Sequence, residues 1–443
     1  MRHPLSEMIE KRKDDKSIGM PSYCTANEIV LEAILLRAKE TGNPVLIEAT
    51  ANQVNQFGGY TGMKPQDFKE YMDKLGDKLD VDEKLIILGG DHLGPLTWMK
   101  DTEEVAMQKS CDLVREYILA GFTKIHLDTS MKLADDAKDE ILSKEVIARR
   151  GAILYKECMA AYAELQKEDP DAMRPVFIIG SEVPIPGGAQ EAEESIEVTA
   201  VEDFLETVAV YKQEFAKAGV ADGIADVIAV VVQPGVEFGD AQVFAYDRYK
   251  AADLCAALPE CPGIVFEGHS TDYQTPIDLK NMTEDGIAIL KVGPALTFQL
   301  REALFALSFI EKELVPKAER ANFIETLDEL MVTQPDNWKN HYQGNETEQT
   351  IARKYSFSDR CRYYMGEEKV KKAIDKLLKG LSDREIPNSL LRQFMPRESQ
   401  ILLETGESFT PRRLIQMHIE QILDEYEFAT GKALFENSNK PVF

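Results

Sequence analysis

The sequence predicts an α/β protein, a (β/α)8 TIM barrel with an α-helical C-terminal extension, and three observations support this fold class. Short apolar runs alternate with stretches of helical periodicity, eight such units follow one another over roughly 300 residues, and strand-like runs end after about residue 318. A doubly wound sheet is the alternative, but eight units of this total length favour a closed barrel. We therefore assign residues 1–318 to the barrel and residues 319–443 to a helical region packed on it.

Each predicted strand is a short apolar run that ends in a polar residue or a glycine. After a charged lead-in at residues 8–15, the runs cover residues 18–24, 45–49, 85–90, 124–128, 175–180, 226–232, 263–266 and 288–292. Helical periodicity covers residues 26–39, 65–75, a stretch from 101, and residues 141–168, 201–218, 245–257 and 295–317. Pro65 suits a first helical turn, and the acids that follow Asp101 suit a helix start because they complement the helix dipole.

The C-terminal extension carries an aromatic and basic patch followed by a helix. The patch consists of Trp338, His341, Tyr342, Tyr355, Phe357, Arg360, Arg362, Tyr363 and Tyr364. We expect the C-terminal region to pack on the barrel and to reach into its mouth or form an oligomer contact. The helix predicted at residues 411–428 places Ile415, Ile419 and Ile422 on one face, which is typical of a helix that packs on a core.

Composition excludes several classes of protein. The 443 residues include 77 acids and 51 bases, and the net charge of -26 argues against nucleic acid or an anionic membrane as a partner. A local basic pocket would still accept a phosphorylated substrate. The sequence shows no signal peptide, no membrane-spanning run and no P-loop, and its six cysteines are scattered without a Cys-x-x-Cys pair. We expect a cytoplasmic protein with reduced thiols.

Polar side chains recur where the predicted strands end. They are Glu48, Asp91 with His92, Asp128, Glu182, Gln233, Glu267 with His269, and Lys291. Each alone has an ordinary explanation as a helix cap, a loop acid or a solvated lysine. Because the strand ends of a barrel converge on one mouth, the set as a whole indicates a metal and acid–base site. His126 lies within a strand, and we interpret it as a core histidine or one that supports a ligand.

Several long motifs carry a resemblance to a known family. They lie at residues 90–95 (GDHLGP), 180–188 (GSEVPIPGG), 232–240 (VQPGVEFGD), 267–274 (EGHSTDYQ) and 291–298 (KVGPALTF). In this order they resemble the class II tagatose-bisphosphate aldolase non-catalytic (Z) subunit family, once labelled tagatose-6-phosphate kinases. The resemblance covers essentially the whole chain, and it implies a barrel related to class II aldolases and a place in galactitol and N-acetylgalactosamine degradation. No nucleotide-binding loop supports the kinase label.

The resemblance also implies roles for single residues. Class II aldolases hold zinc with three histidines and use an aspartate beside the first for proton transfer, and the pair Asp91–His92 resembles that arrangement. The second histidine is replaced near Gln233, and Glu267-Gly268-His269 departs from the pattern at the third, so we expect no three-histidine set. The expected roles are acid–base groups (Asp91, Glu182), divalent-metal ligands, with zinc as the expected ion (His92, Glu267 or Glu182, His269), and sugar-binding groups (Asp128, Gln233, Ser270, Asp272, Lys291).

Two functions follow from this reading. The first is a partner role, in which the chain joins an oligomer with the catalytic class II aldolase subunit and supports its activity and stability. The alternative is catalysis by the chain itself, as a metal-dependent ketohexose or ketohexose-phosphate 4-epimerase that cleaves and reforms the C3–C4 bond. A relic site kept only for packing is a third reading. Bound metal and sugar turnover by the isolated chain would separate them.

Overall fold

The computed structural model describes residues 2–181 and 196–431, and it confirms the predicted fold class. Eight parallel strands close into a barrel in chain order, so that the first strand pairs with both the second and the last. The strands are β1 (Met20–Cys24), β2 (Val45–Thr50), β3 (Ile86–Leu93), β4 (Lys124–Leu127), β5 (Val176–Ile179), β6 (Val227–Val232), β7 (Val265–Gly268) and β8 (Ile287–Val292). A small antiparallel hairpin, Glu237–Phe238 with Val243–Phe244, lies between β6 and β7.

Helices lie between the strands and continue beyond the barrel. They are α1 (Pro4–Lys11), α2 (Glu28–Thr41), α3 (Pro65–Leu79), α4 (Glu103–Leu119), α5 (Lys144–Glu168), α6 (Val201–Lys217), α7 (Ala252–Ala257), α8 (Pro276–Glu284), α9 (Pro294–Leu314), α10 (Phe323–Thr333), α11 (Glu346–Tyr355), α12 (Glu368–Ser382), α13 (Asn388–Phe394), α14 (Pro396–Thr405) and α15 (Pro411–Ala429). A membrane-crossing helix, both long and apolar enough, is not found in the described part of the chain.

Two helices differ from the sequence prediction. The helix expected at residues 245–257 begins only at Ala252, because the hairpin occupies the preceding residues and the Asp247 carboxylate caps a turn by accepting from the Tyr249 backbone N–H at 3.0 Å. Helix α8 was not predicted. Its start is set by Thr275, whose hydroxyl accepts from the Asp278 backbone N–H at 3.2 Å, so a local cap stabilises a helix whose apolar pattern is short.

The charged lead-in of the sequence folds as α1 and closes one end of the barrel. Its buried side chains, Leu5 and Met8, pack into an apolar cluster inside the barrel with residues near the strand starts, including Met20 and Ile87. The His3 ring caps the helix, since its Nδ1 accepts from the Leu5 backbone N–H at 3.1 Å. This end of the barrel is therefore apolar, and the polar side chains gather at the opposite end.

Helix α15 joins the C-terminal region to the barrel. It packs against α2, α8 and α9, and the predicted face of Ile415, Ile419 and Ile422 is buried. The Tyr426 hydroxyl donates to the Thr271 carbonyl oxygen at 3.0 Å, in the loop after β7. Just beyond the helix, the Thr430 carbonyl oxygen accepts from the Gly19 backbone N–H at 3.0 Å, directly before β1. The last helix therefore touches both the first strand and the polar mouth.

A partly buried histidine on α15 makes the stability of this packing depend on pH. His418 Nδ1 lies 2.7 Å from Glu398 Oε1, and its Nε2 lies 3.6 Å from Glu302 Oε2. Burial lowers the pKa of His418, but the two glutamates outweigh it and raise the pKa to about 9.

Because this pKa is raised above the unfolded value of about 6.5, the contribution of His418 is complete below pH 6.5 and is lost as the pH rises through 9. We expect His418→Gln to remove a pH-dependent part of the free energy of unfolding worth about 3 kcal/mol. Urea unfolding of both proteins at pH 6 and pH 9.5 measures it. Parallel pH profiles for parent and variant would contradict the assignment.

Candidate metal centre

Strand β3 delivers two neighbouring side chains, Asp91 and His92, to the same polar mouth. In a regular strand adjacent side chains point to opposite faces. Here the pairing of β3 with β4 shifts register between Gly90 and Leu93, and His92 adopts a left-handed backbone with φ 48°. Such a conformation is uncommon for a non-glycine residue and collects at functional sites. The close passage of the chain also needs Gly94, where a β-carbon would lie 1.8 Å from the Asp128 carbonyl oxygen.

Three histidines and one aspartate form a compact buried group, which we call the histidine cluster. It consists of Asp91, His92, His126 and His269, and one potential ligand atom from each lies within 4.8 Å of the others. The three ring centroids are 5.0–5.2 Å apart. Three imidazoles with a nearby open position are the donor set of many catalytic zinc sites.

Each histidine of the cluster has one ring nitrogen within hydrogen-bond distance of a carboxylate oxygen. His92 Nδ1 lies 2.7 Å from Asp128 Oδ2, His126 Nδ1 lies 2.9 Å from Asp91 Oδ1, and His269 Nε2 lies 2.9 Å from Glu267 Oε1. The His92 backbone N–H also lies 3.2 Å from His126 Nδ1. Carboxylate–histidine pairs of this kind orient metal-binding histidines and fix their tautomers.

His126, on β4, belongs to the histidine cluster. Its full burial fits the sequence interpretation as a core histidine or one that supports a ligand. No three-histidine set was expected, but its ring lies beside those of His92 and His269. Among residues 2–181 and 196–431, its Nε2 has no hydrogen-bond partner. A buried polar atom without a partner costs free energy, which a bound cation would recover, so the residues present fit a divalent metal. Alternation along β4 was the available signal, since Lys124, His126 and Asp128 are spaced by two.

The protonation states of the cluster differ from ring to ring. Burial lowers the pKa of His269 to about 3, so this imidazole is neutral at neutral pH, the form that binds metals. Burial also lowers the pKa of His92, but the charges of Asp91 and Asp128 outweigh that effect and raise it. Burial raises the pKa of Asp128, but the hydrogen bond from His92 outweighs it and brings the pKa to about 2. Asp128 is therefore an anion that holds His92 in place.

A buried ion network, which we call the lysine–carboxylate network, lies beside the cluster. It consists of Glu48, Asp91, Lys124, Glu267 and Lys291. Lys124 Nζ lies 2.6 Å from Glu48 Oε1 and 2.8 Å from Glu267 Oε2. Lys291 Nζ pairs with Glu48 and lies 2.8 Å from Asp91 Oδ2. Burial raises the pKa of Asp91, but the charges of His92 and Lys291 outweigh it and hold the pKa well below its usual range.

In this network, Glu267 contacts a lysine and a histidine rather than joining the histidine cluster as a ligand. It was predicted as a metal ligand, but its two oxygens are taken by Lys124 and His269, and the histidine cluster contains His126 instead. Glu267 is fully buried, and its charge is matched by Lys124. Its position therefore suits a group that orients His269 rather than one that binds the ion directly.

The remaining predicted site residues fall into three groups. Gln233 caps a turn, because its Oε1 accepts from the Gly235 and Val236 backbone N–H groups at 2.9 Å each. Ser270, Asp272 and Lys291 line a cavity that also reaches Asp91, His92 and His269. Glu182, predicted as an acid–base group, lies outside the described residues, as does most of the motif at residues 180–188.

The cavity over the cluster has a volume of about 720 Å³, a size that suits a sugar or sugar phosphate. The C-terminal region forms part of its wall through Arg362 and Tyr363, which confirms that the aromatic and basic patch reaches the mouth. The Arg362 guanidinium donates to backbone carbonyl oxygens and, at 2.9 Å, to the Tyr363 hydroxyl. The Tyr363 ring packs edge-on against Tyr60 at 5.1 Å.

Comparison with known proteins gives a consistent result. Proteins named D-tagatose-1,6-bisphosphate aldolase subunit GatZ from Salmonella gallinarum and Salmonella typhimurium are each 41% identical over 424 residues, 96% of this chain and 98% of theirs. The crystal structure of a probable tagatose 6 phosphate kinase from Sinorhizobium meliloti 1021 matches with a TM-score of 0.85 and 41% identity, over 93% of this chain and 100% of that one. A family model described as D-tagatose-1,6-bisphosphate aldolase subunit GatZ/KbaZ-like covers residues 5–431. The chain therefore belongs to the GatZ/KbaZ-like family of D-tagatose-1,6-bisphosphate aldolase subunits.

Proposed function

We propose that this chain is the Z-type subunit of a cytoplasmic D-tagatose-1,6-bisphosphate aldolase and supports the activity and stability of a catalytic class II aldolase subunit. The observation that carries the proposal is the 41% identity to aldolase subunits over 96% of the chain. The complex would act in galactitol and N-acetylgalactosamine breakdown, where phosphorylated ketohexoses are the substrates. The chain would then work as part of an oligomer rather than alone.

The experiment is reconstitution with a purified catalytic subunit. We expect the mixture to form a complex in light scattering, and to cleave tagatose 1,6-bisphosphate faster and for longer than the catalytic subunit alone. Asp91→Asn is the matched variant: the partner role predicts that it still assembles and stimulates, because Asp91 is buried in the barrel. Separate species in light scattering, with no gain in rate or lifetime, would refute the partner role.

The histidine cluster supports a second candidate function, sugar 4-epimerisation by the chain itself. A structural partner needs no buried set of three histidines with one unpaired nitrogen, whereas a metal-assisted reaction does. His92, His126 and His269 would hold the ion, for which zinc is the expected choice. A divalent ion in such a site supplies Lewis-acid polarisation of a ketose carbonyl. The relatives are named as aldolase subunits, so this function stands second to the partner role.

The residues at the mouth suit this chemistry. Asp91 is an anion in a water-poor site, held 2.8 Å from Lys291, and it would take the proton of the C4 hydroxyl. The C3–C4 bond then breaks, its electron pair stays on C3, and C4 becomes an aldehyde. Rotation of the aldehyde and reformation of the bond, with return of the proton, inverts C4 without net oxidation or reduction.

Turnover by the isolated, zinc-loaded chain tests this candidate. Fructose 6-phosphate should give tagatose 6-phosphate, and Asp91→Asn should lower kcat by about 10²–10⁴-fold because a general base is lost. The product ratio is followed by chromatography. A zinc-loaded parent with no turnover, or a fully active Asp91→Asn variant, would remove this function.

A further inference from the structure

The loops after β7 and β8 of a (β/α)8 barrel, with the helix start that follows them, often bind a phosphate group through free backbone N–H donors. In this chain the corresponding donors are occupied. Asp272 Oδ1 accepts from the backbone N–H groups of Gly293 and Ala295 at 3.0 Å and 2.8 Å. Pro294 has no N–H, and the Leu296 N–H bonds to the Gly293 carbonyl oxygen. The start of α9 therefore presents its donors to a carboxylate of the protein itself.

We propose that Asp272 is a specificity-determining residue: its carboxylate fills the position of a phosphate, so that the cavity takes ketoses whose end at this position carries a hydroxyl instead. This inference rests on the second candidate function in one respect, that a ketohexose occupies the cavity. It adds the chemical class of that ligand, a free sugar or a monophosphate rather than a bisphosphate.

The loop that carries Asp272 is fixed on both sides. Thr271 Oγ1 donates to the Lys291 carbonyl oxygen at 2.7 Å, and the Tyr273 hydroxyl donates to the Phe357 carbonyl oxygen at 2.6 Å. Ser270 and Tyr273 have φ values of 52° and 63°, left-handed conformations that persist only where the surroundings enforce them. Moving Asp272 aside would break contacts with β8 and with the C-terminal region, so the carboxylate is a fixed part of the cavity wall.

Charge acts in the same direction. Asp272 is 2% exposed and, within the described ranges, has no lysine, arginine or histidine nitrogen within ion-pair distance, although the charge of Arg362 acts on its carboxylate from farther away. A phosphate brought to this place would meet a like charge and occupied donors. A sugar hydroxyl would find an acceptor, because a carboxylate has more lone pairs than its two N–H partners use.

Calorimetric titration of the isolated, zinc-loaded chain with tagatose 6-phosphate and tagatose 1,6-bisphosphate tests the proposal. We expect the parent to bind the monophosphate at least about tenfold more tightly, a preference of the size that one blocked contact gives. Asp272→Ala should lose or reverse this preference because the N–H groups become free. Asp272→Asn removes the charge but keeps an acceptor, and should fall between the two.

The matched control is Asn345→Ala. Asn345 caps α11 by accepting from the Thr347 and Glu348 backbone N–H groups at 2.9 Å and 3.1 Å, so the variant loses a comparable helix cap in another part of the molecule. It should keep the parental preference. Equal or tighter binding of the bisphosphate by the parent, an unchanged preference in Asp272→Ala, or no binding of either sugar by the parent would overturn the proposal. Failure of the epimerase candidate would appear separately, as lack of turnover of fructose 6-phosphate, and failure of the subunit role as lack of assembly with the catalytic subunit; neither alters the affinity ratio.

Discussion

Replacing His126 with alanine is expected to lower the affinity of the chain for zinc by at least about 100-fold. Residues that only orient a metal ligand already contribute about 10–100-fold, and His126 Nε2 is placed to bind the ion itself. His92→Ala should have an effect of the same size, whereas Asp128→Asn, which loses only the orientation of His92, should cost about 10–100-fold. Competition with a chromophoric chelator at constant pH measures all three affinities.

The control for these variants is His341→Ala. It removes an imidazole outside the histidine cluster and should leave zinc affinity unchanged. Circular dichroism at equal temperature shows whether each variant is folded before titration. Zinc affinity in His126→Ala equal to that of the parent would show that the cluster does not bind the ion through this ring.

The second large effect concerns stability. Lys124→Met should lower the free energy of unfolding by about 3–5 kcal/mol, because it leaves the fully buried Glu267 carboxylate without its lysine and Glu48 with Lys291 alone. Equilibrium unfolding in urea measures the change. The double variant Lys124→Met with Glu267→Gln should recover part of the loss, since the charge that has lost its lysine is then absent.

A surface pair provides the comparison for Lys124. Lys69 pairs with Asp73 at 2.6 Å on α3, where the acid is half exposed, so Lys69→Met should change stability by less than about 1 kcal/mol. A Lys124→Met variant as stable as Lys69→Met would mean that the barrel interior tolerates the two acids without the lysine.

The sequence predicted the barrel because its signal is local and repeated. Each strand is an apolar run with a polar end, and eight of them in order specify a closed parallel sheet without knowledge of any single contact. The same local signal brought Asp91, His92, His269 and Lys291 to one mouth. The chemical roles assigned to these residues stay predictions, and so does the role of Glu182.

The sequence did not predict the surroundings of residues whose contacts come from partners distant in the chain. Glu267 was predicted as a ligand, but Lys124, more than a hundred residues away, takes one of its oxygens. His126 was interpreted as a core or supporting histidine because it lies within a strand, and its ring lies beside those of His92 on β3 and His269 just after β7. No sequence pattern predicts the hydrogen bonds between the Asp272 carboxylate and the first backbone N–H groups of α9. From the sequence alone, any acid in that loop is a possible sugar contact.

The contacts of α15 have a consequence for the order in which the molecule assembles. The Gly19 backbone N–H donates to the Thr430 carbonyl oxygen, and the Tyr426 hydroxyl donates to the loop after β7. These hydrogen bonds to the first strand and to the polar mouth can form only after the last helix has been made. Closing a loop of that length carries a large entropy cost before any contact repays it, and folding slows as such distant contacts accumulate. On a ribosome the eight strands emerge long before residue 430, and the barrel acquires its final mouth only when nearly the whole chain has been made.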